Sequence, residues 1–190
     1  MQRGHHYLFF AIRPDLKAAE QLHQYGAEAR RRRSLTGRQV APDHLHVSLN
    51  FVDKRARPDV QIIDRAVAAA TTVTMPPFVL ALDRIGTWGR GPGPKAIVAW
   101  ADDGVIGARL LHTAIHTALA PTGLVPKAEP NLEPHLTLLR DISEATPEFI
   151  EPVKWTVREF VLLDSARGEG RHELLGRWPL RPAVSPSNTC

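Results

Sequence analysis

The chain writes one short pattern twice, as His44-Leu45-His46-Val47-Ser48-Leu49 and again as Pro134-His135-Leu136-Thr137-Leu138-Leu139. Each copy holds a His, any residue, a Ser or Thr, and then Leu. Side chains two apart on a β-strand share a face, so His46 projects with Ser48 and His135 with Thr137. Leu45, Val47 and Leu49 turn to the opposite face, as do Leu136 and Leu138, and that face enters a core. A chain with two such strands must cover both apolar faces while leaving both polar faces open to a cleft. Two imidazoles with a hydroxyl beside each make one acid–base site able to grip a tetrahedral anion.

The surrounding sequence alternates strands and helices. Tyr7 to Ile12 reads as a buried strand, broken by Arg13-Pro14-Asp15. A helix follows from Leu16 to about Arg33, with Leu16, Ala19, Leu22 and Tyr25/Gly26 on one side. Its end, Arg30 to Arg33, reads as a solvated helix terminus complementing the dipole rather than as a polyanion contact. After a loop over Ser34 to Pro42 comes the first motif strand, then a helix from Pro58 to Thr72 and a strand from Phe78 to Ile85. Gly86 to Pro94 is a Gly/Pro-rich loop leading to a strand at Ala96 to Trp100. A third helix spans about Val105 to Ala120, ahead of the second motif strand. Ser143 to Ile150 reads as a short helix, and Trp155 to Asp164 with Glu173 to Leu180 as a closing strand pair. Two similar α+β halves, each with an antiparallel sheet and one motif, fit this order. We expect one bilobal domain over residues 1–181 and a flexible tail over 182–190.

With 190 residues and 43% hydrophobic side chains the chain can bury a sizeable core. The formal net charge of +4 mildly favours an anionic partner such as RNA, a nucleotide or phosphate. The single cysteine, Cys190, leaves no intramolecular disulfide and no cysteine cluster for zinc. No signal peptide or membrane span is evident, so the expectation is a soluble, cytoplasmic monomer without a cofactor.

Histidine titrates near neutrality, so one ring can take a proton while the other gives one. Phosphodiester hydrolysis needs both acts, and its transition state gathers charge on oxygens that Ser48 and Thr137 could stabilise. A metal site built from His44, His46 and His135 is the weaker reading, because no carboxylate or Cys stands nearby at ligand spacing. His112 and His116 lack the Glu of a zinc-protease helix and read as a solvated helix face. His5, His6, His23 and His172 form no motif. Arg140 could neutralise a phosphate, but strand parity turns it away from His135 unless the strand ends or twists there. Phe51, at the equivalent place after the first motif, could stack on a base or pack in the core.

These residues resemble the double His-x-Thr/Ser signature of the two-histidine phosphoesterases, within them the RNA 2′,3′-cyclic phosphodiesterases also called 2′-5′ RNA ligases. The resemblance extends to Tyr7-Leu8-Phe9-Phe10-Ala11-Ile12, to the second motif through Arg140, and to Leu162-Leu163-Asp164-Ser165 with His172-Glu173-Leu174-Leu175 and Trp178-Pro179-Leu180. It implies a bilobal α+β fold and metal-independent opening of a terminal 2′,3′-cyclic phosphate to a 2′-phosphate. His46 would then be the proton donor, His135 the proton acceptor, and Ser48 and Thr137 the phosphate ligands. Ser48 stands for the commoner Thr, Asp164 for Glu, and His172 for Tyr. The first keeps the hydroxyl; the other two bear on substrate preference. Two further readings remain open: a phosphodiesterase for a small nucleotide, such as a 2′-5′ oligonucleotide or a cyclic phosphate of ADP-ribose, and a non-catalytic nucleotide- or RNA-binding module.

Overall fold

Among the described residues every strand pairs antiparallel, and all eight belong to one sheet. The computed structural model describes residues 5–89, 93–124, 132–166 and 172–182. The strands are β1 (His6–Ile12), β2 (Val47–Arg55), β3 (Phe78–Trp88), β4 (Lys95–Trp100), β5 (His135–Asp141), β6 (Glu148–Val157), β7 (Glu159–Ala166) and β8 (His172–Pro179). Their order across the sheet is β6-β3-β4-β5-β2-β1-β7-β8. Read outward from the middle this is β5-β4-β3-β6 one way and β2-β1-β7-β8 the other. The two motif strands, β2 and β5, face each other at the seam, where a single register pair joins them: Val47 with Leu136. The expected halves are therefore four-stranded wings of a continuous sheet.

Three helices, α1 (Leu16–Arg32), α2 (Val60–Thr71) and α3 (Ile106–Leu119), cover one face. Each wing has the same unit at its heart: a strand, a helix, then the motif strand, as β1-α1-β2 and β4-α3-β5. Leu8, Phe10 and Ile12 of β1 enter the core beneath the helices with Leu136, Leu138, Leu80 and Leu162, and this buried cluster runs unbroken through both wings. Removing a fully buried side chain such as Leu22 should cost about 2–5 kcal/mol. Asp15 caps α1 by accepting from the Ala18 N–H at 2.9 Å. The buried stripe of α1 is Ala18, Ala19, Leu22, Gly26 and Ala29, whereas Leu16, expected on it, is 74% exposed. Among the described residues the opposite face of the sheet carries no helix. There Phe9 packs on a small second cluster of Ala11, Val161 and Leu163.

Two elements differ from expectation. Ser143 to Pro147 is a turn, not a helix, and β6 begins at Glu148. The Asp141 carboxylate accepts from the Ser143 N–H at 2.8 Å, and Ala145 is pinned to Thr87 of β3 through its N–H and its carbonyl. Those bonds take the backbone groups a helix would need. The strand expected over Trp155 to Asp164 is two strands broken at Arg158. β6 lies at the outer edge of one wing and β7 inside the other, so the chain changes wings there. Arg32 and Arg33, from the basic end of α1, both reach Glu148. No α-helix among the described residues is long and apolar enough to cross a membrane. Residues 183–190 of the expected tail, with Cys190, lie outside the described residues, as do Arg90, Arg167 and Arg171.

Candidate active site

The seam places the two motifs side by side. With Val47 opposite Leu136, continuing the antiparallel register sets His46 beside Thr137 and Ser48 beside His135, all on the helix-free face. His46 Nδ1 lies 2.8 Å from the His44 carbonyl oxygen, and His135 Nδ1 lies 2.9 Å from that of Glu133. A carbonyl can only accept, so each Nδ1 carries the proton and each ring leaves Nε2 for chemistry. The same tether, from a ring to the residue two before it, recurs in both wings.

Both motif strands contain a bulge at the same distance past the His. On β5, Val98 pairs with Thr137 but Ile97 pairs with Leu139, so Leu138 is extra. On β2, Ala11 pairs with Ser48 and Phe9 with Phe51, two positions on β1 against three on β2. Each bulge puts two consecutive residues inward, Leu49-Asn50 and Leu138-Leu139, all buried. The parity beyond each bulge inverts, so Arg140 and Phe51 join the face of the motif histidines. Arg140 is thus brought to the side of His135 and Thr137, contrary to simple alternation, and is exposed. Phe51 is 45% exposed with its ring edge-on to Tyr7 and does not pack in the core.

A bulge takes a carbonyl out of the ladder, and both are re-satisfied. His112 of α3 donates from Nδ1 to the Leu49 carbonyl at 3.2 Å, while Asn50 Nδ2 donates to the His112 carbonyl at 3.2 Å. His112 therefore clamps α3 to β2 rather than lining a solvated face. At the corresponding point of β5, the Val40 N–H donates to the Leu138 carbonyl at 2.8 Å. Gly37, in the same α1–β2 connection, donates its N–H to the Asp141 carboxylate. A Cβ on Gly37 would sit 1.9 Å from the Arg140 carbonyl oxygen, so only glycine lets this segment lie against β5. Asp141 is buried, and the N–H donors of Ser143 and Gly37 hold its carboxyl below the usual carboxylate range.

Spacing alone did not place several neighbours of the two motif histidines. His172 of β8 stands edge-on to His46 with centroids 4.8 Å apart, and it also touches His44 and Phe9. Burial, with the nearby His46, His44 and Arg13, pushes the His172 pKa down to about 4. Burial likewise lowers the pKa of His46, helped by the positive potential of Arg13 and of the His135 and His44 rings. Arg13, read from sequence only as a strand breaker, therefore contributes to the field at the site. On the other wing, Trp88 packs on His135 with centroids 4.5 Å apart. No local motif announces these contacts; the sheet order creates them.

A family model described as the 2′-5′ RNA ligase superfamily matches residues 14–169. The chain is 32% identical over 182 residues to an RNA 2′,3′-cyclic phosphodiesterase of Escherichia coli, covering 91% of this chain and 96% of that protein. Its structure resembles the crystal structure of E. coli LigT in apo form, with a TM-score of 0.75, 29% identity, and 94% and 99% of the two chains covered. The structure of E. coli LigT complexed with 3′-AMP gives a TM-score of 0.73 at 29% identity, covering 93% and 98%. Both motifs, the seam that joins them and nearly the whole length between lie within these matches. This chain belongs to the 2′-5′ RNA ligase superfamily.

Proposed function

We propose that the protein hydrolyses RNA 2′,3′-cyclic phosphate ends to 2′-phosphates by metal-independent two-histidine catalysis. The observation that carries this is the paired tether of His46 and His135, which leaves two Nε2 atoms on one face with a hydroxyl beside each. His135 takes a proton from water as the oxygen attacks phosphorus. The bond from phosphorus to the 3′ oxygen breaks, and His46 gives that oxygen its proton. Ser48, Thr137 and Arg140 stabilise the charge on the non-bridging oxygens, and Phe51 offers a ring face to the terminal base. Burial disfavours the protonated form of His46 in the free protein, and the negative phosphodiester opposes that, favouring the protonated donor once substrate is bound. A 5′ hydroxyl in place of water would make the same steps form a 2′-5′ linkage. We likewise propose that the protein acts as a cytoplasmic monomer.

The test is a short RNA ending in a 2′,3′-cyclic phosphate, incubated in excess EDTA, with the product end identified. A 2′-phosphate, reduced about a thousandfold in rate by His46→Ala and by His135→Ala, is expected. A 3′-phosphate product, or turnover indifferent to both substitutions, would sink the assignment.

A further inference from the structure

The wing that carries His135 also carries a row of flat side chains leading away from it. Register pairs His135 with Trp100, Trp100 with Arg84, and Arg84 with Phe149, across β5, β4, β3 and β6. Paired residues share a face, so all four stand on the helix-free side. Trp100 has room because position 86 of β3 is glycine: a Cβ there would lie 2.9 Å from its ring and 2.9 Å from Pro147. Trp88 fills in behind, its ring 6.0 Å from Trp100 and 4.5 Å from His135. At the far end the Arg84 guanidinium lies 4.9 Å over the Phe149 ring, and Phe149 is 76% exposed.

Arg84 is not a spare cation. It contacts Asp102 at 2.6 Å and Asp83 at 3.6 Å, so its charge is largely compensated and it presents a plane. Such a row reads ring faces, not phosphates. On the opposite wing the row through Ser48 is Ala11, Val161 and Arg177, with no aromatic member. The row of planar side chains that continues from His135 thus has no counterpart in the row through Ser48.

We propose that Trp100, Arg84 and Phe149 form a stacking platform for the nucleotides preceding the reacting end of a single-stranded RNA, a reading that rests on the phosphodiesterase function above. Three strand spacings set Phe149 about 14 Å from His135, room for two bases at ring separations of about 7 Å. Each stacked base strengthens binding without sequence preference, so the platform selects for length rather than for bases.

The experiment compares a mononucleoside 2′,3′-cyclic phosphate with a trinucleotide bearing the same end, in wild-type protein, Phe149→Ala and Phe149→Tyr. The readout is the ratio of kcat/KM for the two substrates. Wild type should favour the trinucleotide about tenfold through KM, Phe149→Ala should bring the ratio near one, and Phe149→Tyr should restore it. A wild-type ratio near one, or a ratio that Phe149→Ala leaves in place, overturns the platform while the phosphodiesterase stands. Wild-type protein inert towards both substrates overturns the phosphodiesterase itself.

Discussion

His46 and His135 are held alike but are surrounded differently. His46 shares its pocket with His172, His44 and Arg13, whereas His135 leans on Trp88. The lowered His46 pKa has a kinetic consequence if His46 is the donor. A donor is lost as pH rises through its pKa, so the alkaline limb of kcat/KM, which reports the free protein, should lie at lower pH than that of kcat. Coincident limbs in a full pH–rate profile would contradict the assignment. His46, Ser48, His135 and Thr137 were legible from spacing because strand parity is local. Arg140 was not, because one extra residue at Leu138 inverts the parity. The buried Leu138-Leu139 pair, matched by Leu49-Asn50, was the available sign. The resemblance pointed to His172, but its place beside His46, like the influence of Arg13, follows only from which strand lies beside which.

The elements that shape the site are the two bulges and the groups that serve them. Gly37 holds the α1–β2 connection against the β5 bulge, and the side chain it lacks would meet the Arg140 carbonyl. Gly37→Ala should destabilise the protein by about 1–3 kcal/mol and shift Arg140, raising KM for cyclic-phosphate ends. Urea unfolding and steady-state kinetics on the same sample check both. Helix and strand positions were mostly legible, since α1, α2 and α3 carry clean helical spacing. The turn after β5 was not: its geometry depends on Asp141 and on Thr87, 58 residues from Ala145. The basic end of α1 is solvated as expected, with Arg30, Arg31 and Arg32 exposed, but the reach of Arg32 and Arg33 to Glu148 depended on where β6 lies.

At the scale of the molecule, acid should loosen the wing that holds β8. An unfolded His takes up a proton near 6.5, whereas folded His172 does so only near 4. The unfolded state binds more protons across that window, so stability falls as pH drops through it. His46 adds in the same direction. Urea midpoints followed across the window should slope down towards acid, and His172→Phe should flatten the slope; an unchanged slope would place the acid sensitivity elsewhere. The α+β class and paired halves were legible from element order. Their fusion into one sheet was not, because a single register pair makes the joint.

That joint lies where a nutcracker keeps its pin. A rotation of one wing against the other about Val47 and Leu136 displaces parts in proportion to their distance from the axis. Phe149 and the strands at either rim would swing widest, while His46 and His135, one residue from the pin, would scarcely part. Such a rotation would widen the mouth for substrates of different bulk and leave His46 and His135 at nearly the same separation.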